Sequence, residues 1–111
     1  MKVVGYAGSR SAFSKSICLG EKLKTMLREK NIEMELYTAR NNVVEECRGC
    51  GKCFDEGLCP QDQEDSMEYI RKKILEADLI VLLSPVYLNN VSGAMKTFLD
   101  RIGSWVHTLR K

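Results

Sequence analysis

KVVGYAGSRSAFSKS, residues 2 to 16, passes from an almost unbroken apolar run into a serine-rich turn. The run Lys2 to Ala7 (KVVGYA), ended by Gly8, has the pattern of a strand buried on both faces. Gly8 to Ser16 (GSRSAFSKS) reads as a loop. From Ser16 to Lys30 the apolar residues Leu19, Leu23, Met26 and Leu27 recur at spacings of four and three, which predicts an amphipathic helix ending near Asn31.

The same grammar continues downstream. Ile32 to Thr38 (IEMELYT) alternates Ile32, Met34 and Leu36 with Glu33, Glu35 and Tyr37, as in a half-exposed strand at a sheet edge. A cysteine-rich loop, 47–59, follows. Asp65 and Glu68 resemble a capping box ahead of a helix with Met67, Ile70, Ile74 and Leu75 on one face, running to about Ala77. Asp78 to Ser84 (DLIVLLS) is the most apolar run and predicts a third strand, stopped by Pro85. PVYLNN then forms a loop up to Ser92, which suits the N-cap of a helix burying Met95, Phe98, Leu99 and Ile102 and closed by Gly103. Strands and helices that alternate in this way imply a parallel sheet with right-handed crossovers.

A chain of 111 residues is expected to form one domain, 1–111, with a modest core. A formal charge of +2, with both signs interspersed, argues against nucleic acid and against a polybasic membrane contact. The amino terminus is too short in apolar residues for a signal peptide, and no run approaches the ~20 apolar residues of a membrane span. The expectation is a cytoplasmic protein, where clustered cysteines bind metal or do redox work more often than they form disulfides.

In a parallel sheet of this type, ligands bind beyond the carboxyl ends of the strands. The first loop offers the hydroxyls of Ser9, Ser11, Ser14 and Ser16, the cations Arg10 and Lys15, and the free N–H groups of a helix start, a combination suited to a phosphate. It lacks GxGxxG and the second glycine of a P-loop, against a dinucleotide or a nucleoside triphosphate. The third loop, SPVYLNN, joins a bend, the Tyr87 ring and two amides, which can line a flat heteroaromatic ring. Together the two loops favour a mononucleotide over a mere helix cap and a packed tyrosine.

Cys47, Cys50, Cys53 and Cys59 follow CxxCxxCxxxxxC, with Gly49, Gly51 and Gly57 allowing tight turns that aim N–H groups at sulfur. The pattern lies close to a ferredoxin-type run for one cubane cluster, including a proline, Pro60, after the last cysteine. Zinc and a thiol–disulfide switch are the alternatives. Cys18 reads as a small buried hydrophobe, His107 as a surface residue, and Trp105 as packing on the core or on another subunit.

These pieces, in this order, resemble the flavodoxin-like NADPH-dependent FMN reductase family and, within it, the iron–sulfur flavoproteins. The elements that carry the likeness are CRGCGKCFDEGLC, LEADLIVLLSPVYLNNVSGAMKTFLDRIGSW and GYAGSRSAFSKS. The resemblance implies an α/β fold, a three-layer flavodoxin-like parallel sheet, in which Ser9, Ser14, Lys15 and Ser16 hold the FMN phosphate and Pro85, Val86, Tyr87, Leu88 and Asn89 border the isoalloxazine ring. It further implies a [4Fe–4S] cluster on the four cysteines. The family usually has Pro after the serine and Arg one place later, whereas here Arg10 follows Ser9 directly.

A βα unit with its return strand needs roughly 30 residues or more, so the chain has room for three units in the order 2-1-3 and not for the family's five. Leu79 to Leu83 is then expected to stand as an apolar edge, covered in a homodimer or higher oligomer. The implied activity is that of an oxidoreductase or electron-transfer protein drawing on ferredoxin or NAD(P)H. The competing expectation is a non-catalytic binding or assembly module with a zinc or cluster clip.

Overall fold

The computed structural model describes residues 1–103. Trp105 and His107 lie outside the described residues. The elements are β1 (Lys2–Ala7), α1 (Lys15–Glu29), β2 (Glu33–Thr38), α2 (Lys52–Glu56), a 3₁₀ turn (Pro60–Glu64), α3 (Met67–Glu76), β3 (Leu79–Leu83), β4 (Val86–Tyr87), β5 (Asn90–Val91) and α4 (Gly93–Ile102). The main sheet has the order β2-β1-β3 and is parallel throughout, as expected.

Parallel pairing sorts the side chains onto two faces, because residues in register share a face. Gly5 pairs with Leu36 and Val81, whereas Tyr6 pairs with Tyr37 and Leu82. On the Gly5 face lies α1, with Gly20 pressed so closely that an added Cβ would stand 2.9 Å from Leu36 and Leu83. On the Tyr6 face lie α3 and α4, whose Met67, Ile70, Ile74, Met95 and Phe98 join Val4, Tyr6 and Tyr37 in the buried core. Tyr6 stacks on Phe98 with centroids 3.8 Å apart and rings 8° from parallel. These are the three layers of a flavodoxin-like fold.

Several expectations need correction. α1 turns Ile17, Gly20, Leu23 and Leu27 inward, and Leu19 and Met26 face solvent at 57% and 59% exposure. A glycine inside the helix defines its contact stripe, which a search for large apolar residues overlooks. Leu75 is likewise exposed, and its place on the inner face of α3 is taken by buried Arg71. Tyr37 is buried, so β2 is covered on both faces toward its carboxyl end. Asp65 accepts from Met67 N–H at 2.9 Å, but its carboxylate is held by Arg101, so the capping box with Glu68 is not what closes this end. Cys18 is exposed rather than buried.

The third loop also differs. Residues 86–91 form a two-stranded antiparallel hairpin, with Leu88 at φ 51° and Asn89 at φ 60°. Two successive left-handed residues make a type I′ turn, which normally advertises itself through glycine. The apolar edge is present: Leu79, Ile80 and Leu82 are 50%, 42% and 46% exposed. Among the described residues no helix is long and apolar enough to cross a membrane.

Candidate functional site

The turns leaving β1 and β3 meet at one rim, and Ser92 is the joint. Its hydroxyl donates to Gly8 O at 2.6 Å and accepts from Met95 N–H at 3.0 Å, while its own N–H donates to Ser84 Oγ at 2.9 Å. Gly8 N–H is bonded to Leu83 O at 2.8 Å, which ties the end of β1 to the end of β3. A Cβ on Gly8 would stand 2.7 Å from Met95 Cβ and 2.9 Å from its backbone N, so only glycine admits the first turn of α4 this close.

The result is an open cleft of about 390 Å³. Gly8, Ser9 and Arg10 line it from the first loop, Tyr87 from the hairpin, and Gly93, Ala94 and Thr97 from α4. Ser9 is buried, and its Oγ accepts from Ser11 N–H at 3.3 Å; Ser11 Oγ in turn accepts from Phe13 N–H at 3.2 Å. Ser14 caps α1 through Ile17 N–H at 3.2 Å. Each of these bonds uses a hydroxyl lone pair and leaves the hydroxyl hydrogen available to donate to an anion.

The other anticipated residues are not among those lining this cleft. Lys15 opens α1 from an exposed position, beside half-buried Ser16. Pro85 is half-buried, whereas Val86, Leu88 and Asn89 are exposed on the hairpin, Leu88 completely. The first turn of α4, from Ser92 to Thr97, was anticipated only as a helix start. Its role is visible in the sequence solely as a serine ahead of two small residues.

The cysteine segment is built from three left-handed glycines: Gly49 at φ 70°, Gly51 at 73° and Gly57 at 75°. They turn the chain into α2 and out of it, so that Cys47, Cys50, Cys53 and Cys59 line one pocket of about 280 Å³. Gly49 N–H points at Cys47 Sγ, 3.4 Å away. All five cysteines are free thiols. Among the described residues no three His, Cys, Asp or Glu side chains stand in metal-binding geometry, so the four sulfurs share a pocket without converging on one point. The donor set is nonetheless entirely thiol, the chemistry that soft metal centres and iron–sulfur clusters require.

Beneath this pocket runs a buried ionic network that sequence reasoning missed. Arg101, with a side chain wholly inaccessible, bonds Asp65 at 2.6 Å, Asp62 at 2.9 Å and Glu45 O at 2.9 Å. Asp62 also accepts from Arg71 Nε at 2.7 Å, and Arg71 Nη2 donates to Arg101 O at 3.0 Å. Two guanidiniums and two carboxylates thus balance in charge while pinning the cysteine segment to α3 and α4. Burial alone would raise the Asp65 pKa, but hydrogen bonds from Arg101 and from the N–H groups of Glu45 and Met67 outweigh it and hold the carboxyl below its usual range. Arg101 stays a cation despite its burial because Asp65 and Asp62 hold it, with the Cys59 sulfur contributing in the same sense. The signal in the sequence was an arginine on the apolar stripe of each helix, next to Ile70 and Ile102.

Fold and rim together define a flavodoxin-like α/β protein with an open cleft at the carboxyl ends of its strands. The sequence profile of the NADPH-dependent FMN reductase family matches residues 1–109, and the chain belongs to that family. It is 33% identical over 107 residues to an iron–sulfur flavoprotein of Archaeoglobus fulgidus, covering 96% of this chain and 48% of that one. It is 37% identical over 101 residues to an iron–sulfur flavoprotein of Methanocaldococcus jannaschii, covering 91% and 51%. An FMN reductase (NADPH) of Pseudomonas putida is 27% identical over 100 residues, covering 90% of this chain and 46% of that one. In structure the chain is similar to RosB, solved with 8-demethyl-8-formylriboflavin-5′-phosphate, at a TM-score of 0.72 and 20% identity, over 93% of this chain and 42% of that one. The chain spans about half the length of the curated relatives it matches.

Proposed function

We propose that this chain is an FMN-binding oxidoreductase or electron-transfer protein whose four cysteines hold a [4Fe–4S] cluster. The observation that carries the reading is the cleft itself, where a hydroxyl-rich turn, an aromatic residue and a helix start meet at one rim. Ser9, Ser11, Ser14, Lys15 and Ser16, with the first N–H groups of α1, hold the phosphate, and Arg10 supplies a further cation. Pro85, Val86, Tyr87, Leu88 and Asn89 border the ring. Bound flavin supplies the two-electron chemistry, and a cluster on Cys47, Cys50, Cys53 and Cys59 supplies single-electron exchange. Ferredoxin or NAD(P)H is the reductant. The names of the relatives and the all-thiol pocket support the cluster.

A second reading is favoured by the open β3 edge: a non-catalytic flavodoxin-like module that binds a partner and uses the cysteines as a zinc or cluster clip. A visible spectrum of anaerobically purified protein, with iron, sulfide and zinc analysis, separates the two. Flavin bands over a broad shoulder that reductant bleaches support the first reading. A colourless zinc protein refutes it. Cys50→Ser is expected to lose iron and keep flavin, and unchanged iron content overturns the ligand assignment.

A further inference from the structure

Cys47 stands in an exposed stretch without regular structure. Upstream, Glu45 is held by Arg101 and Asp65; the residues immediately flanking Cys47 are held by Gln61. This side chain is only 3% exposed; its Oε1 accepts from Arg48 N–H at 3.0 Å and its Nε2 donates to Glu46 O at 3.0 Å. One amide therefore brackets Cys47 on both sides, as a neighbouring strand would. Gln61 sits two residues beyond Cys59, next to Asp62, which Arg71 and Arg101 lock in place. At the surface Arg48 and Glu64 repeat the connection with an ion pair at 2.7 Å. The first and last thiols of the segment are thus joined through a single buried amide.

We propose that Gln61 is a positioning residue for the thiol pocket, holding the backbone on both sides of Cys47 against the turn that follows Cys59. This rests on the reading of the four cysteines as ligands of one centre. Packing alone does not require an amide here, since methionine fills nearly the same volume. Two hydrogen bonds to backbone groups do require it.

The test uses the full chain, reduced and metal-free under anaerobic conditions, and titrates Co(II) by its thiolate charge-transfer absorption. Gln61→Met is expected to weaken Co(II) binding by about 10- to 100-fold, the usual cost of losing an outer-shell partner, and to lower iron incorporation on reconstitution. Gln61→Glu keeps the acceptor for Arg48 N–H but turns a lone pair on Glu46 O, so it falls between wild type and Gln61→Met; it carries the test if the methionine variant does not fold. A Co(II) affinity within twofold of wild type, with an unchanged spectrum, overturns the proposal. Wild-type protein that takes up neither Co(II) nor iron refutes the ligand reading instead. The role of Gln61 is then judged by hydrogen exchange at the Arg48 amide: exchange faster by about fivefold or more in Gln61→Met sustains it, and equal exchange overturns it.

Discussion

Arg101 illustrates how one buried charge can govern a site. Its guanidinium is fully enclosed, and it bonds Asp62, Asp65 and Glu45 O. Breaking such a pair from one side costs about 3–5 kcal/mol, against a total stability of about 5–15 kcal/mol for a domain. Arg101→Leu is therefore expected to lower the urea midpoint severely, and a midpoint close to wild type would show that the network contributes little. Asp65 gives the pH dependence. Its carboxyl titrates below the ordinary range in the folded protein, so its contribution is complete above the unfolded-state value near 3.9 and is lost as pH falls through the lower folded value. The urea midpoint should hold steady from neutral pH to about pH 5 and drop below about pH 4, and Asp65→Asn should flatten that acid limb. Each arginine is marked in the sequence only by its place on an apolar stripe, and its partners are not legible there. A charged residue on a helix reads as solvated until its partners are known, and Asp62 and Asp65 lie on a turn whose path no periodicity describes.

Among the elements, those with a strong period were readable and those made by single backbone angles were not. β1 was legible because a strand covered on two faces must be apolar throughout, β3 because its apolar run is continuous even though three of its five residues are exposed, and α4 because Ser92 precedes Met95, Phe98 and Ile102 at helical spacing. The stripe of α1 was misread because Gly20 makes the closest contact, and closeness leaves no mark on hydropathy. The hairpin at 86–91 was missed because Leu88 and Asn89 adopt left-handed angles without a glycine. Of the candidate site, the serine turn and Tyr87 were visible as residue types, but their meeting depends on Ser92, whose bonds reach back 84 residues to Gly8. Ser92→Ala removes the cap of α4 and its anchor at once. The cap alone accounts for about 0.5–2 kcal/mol. Denaturant unfolding should show a loss at or above the top of that range, with weakened FMN binding in a fluorescence titration. A loss confined to the lower end would mean that the anchor to Gly8 O is energetically idle.

For the molecule as a whole, the open flank of β3 is the dominant feature. Leu79, Ile80 and Leu82 present apolar side chains beside a strand paired only with β1, the arrangement that soluble proteins ordinarily cover or charge. For a chain of these 111 residues on its own, we infer that a second copy covers it. Ile80 and Leu82 alternate onto the same face, so Ile80→Lys with Leu82→Lys should give a monomer by sedimentation where the wild type is a dimer or larger. A monomeric wild type at the same concentration would sink the inference. One further consequence concerns α4. Its first residues, Gly93 to Thr97, line the cleft, and its last turn, Asp100 and Arg101, lines the thiol pocket. Ten helical residues form a rod about 15 Å long, and a rod transmits displacement from end to end. If seating a ligand in the cleft shifts the helix, the sulfurs feel the shift, and thermodynamic reciprocity demands that loading the thiols alter that ligand's affinity by an equal factor.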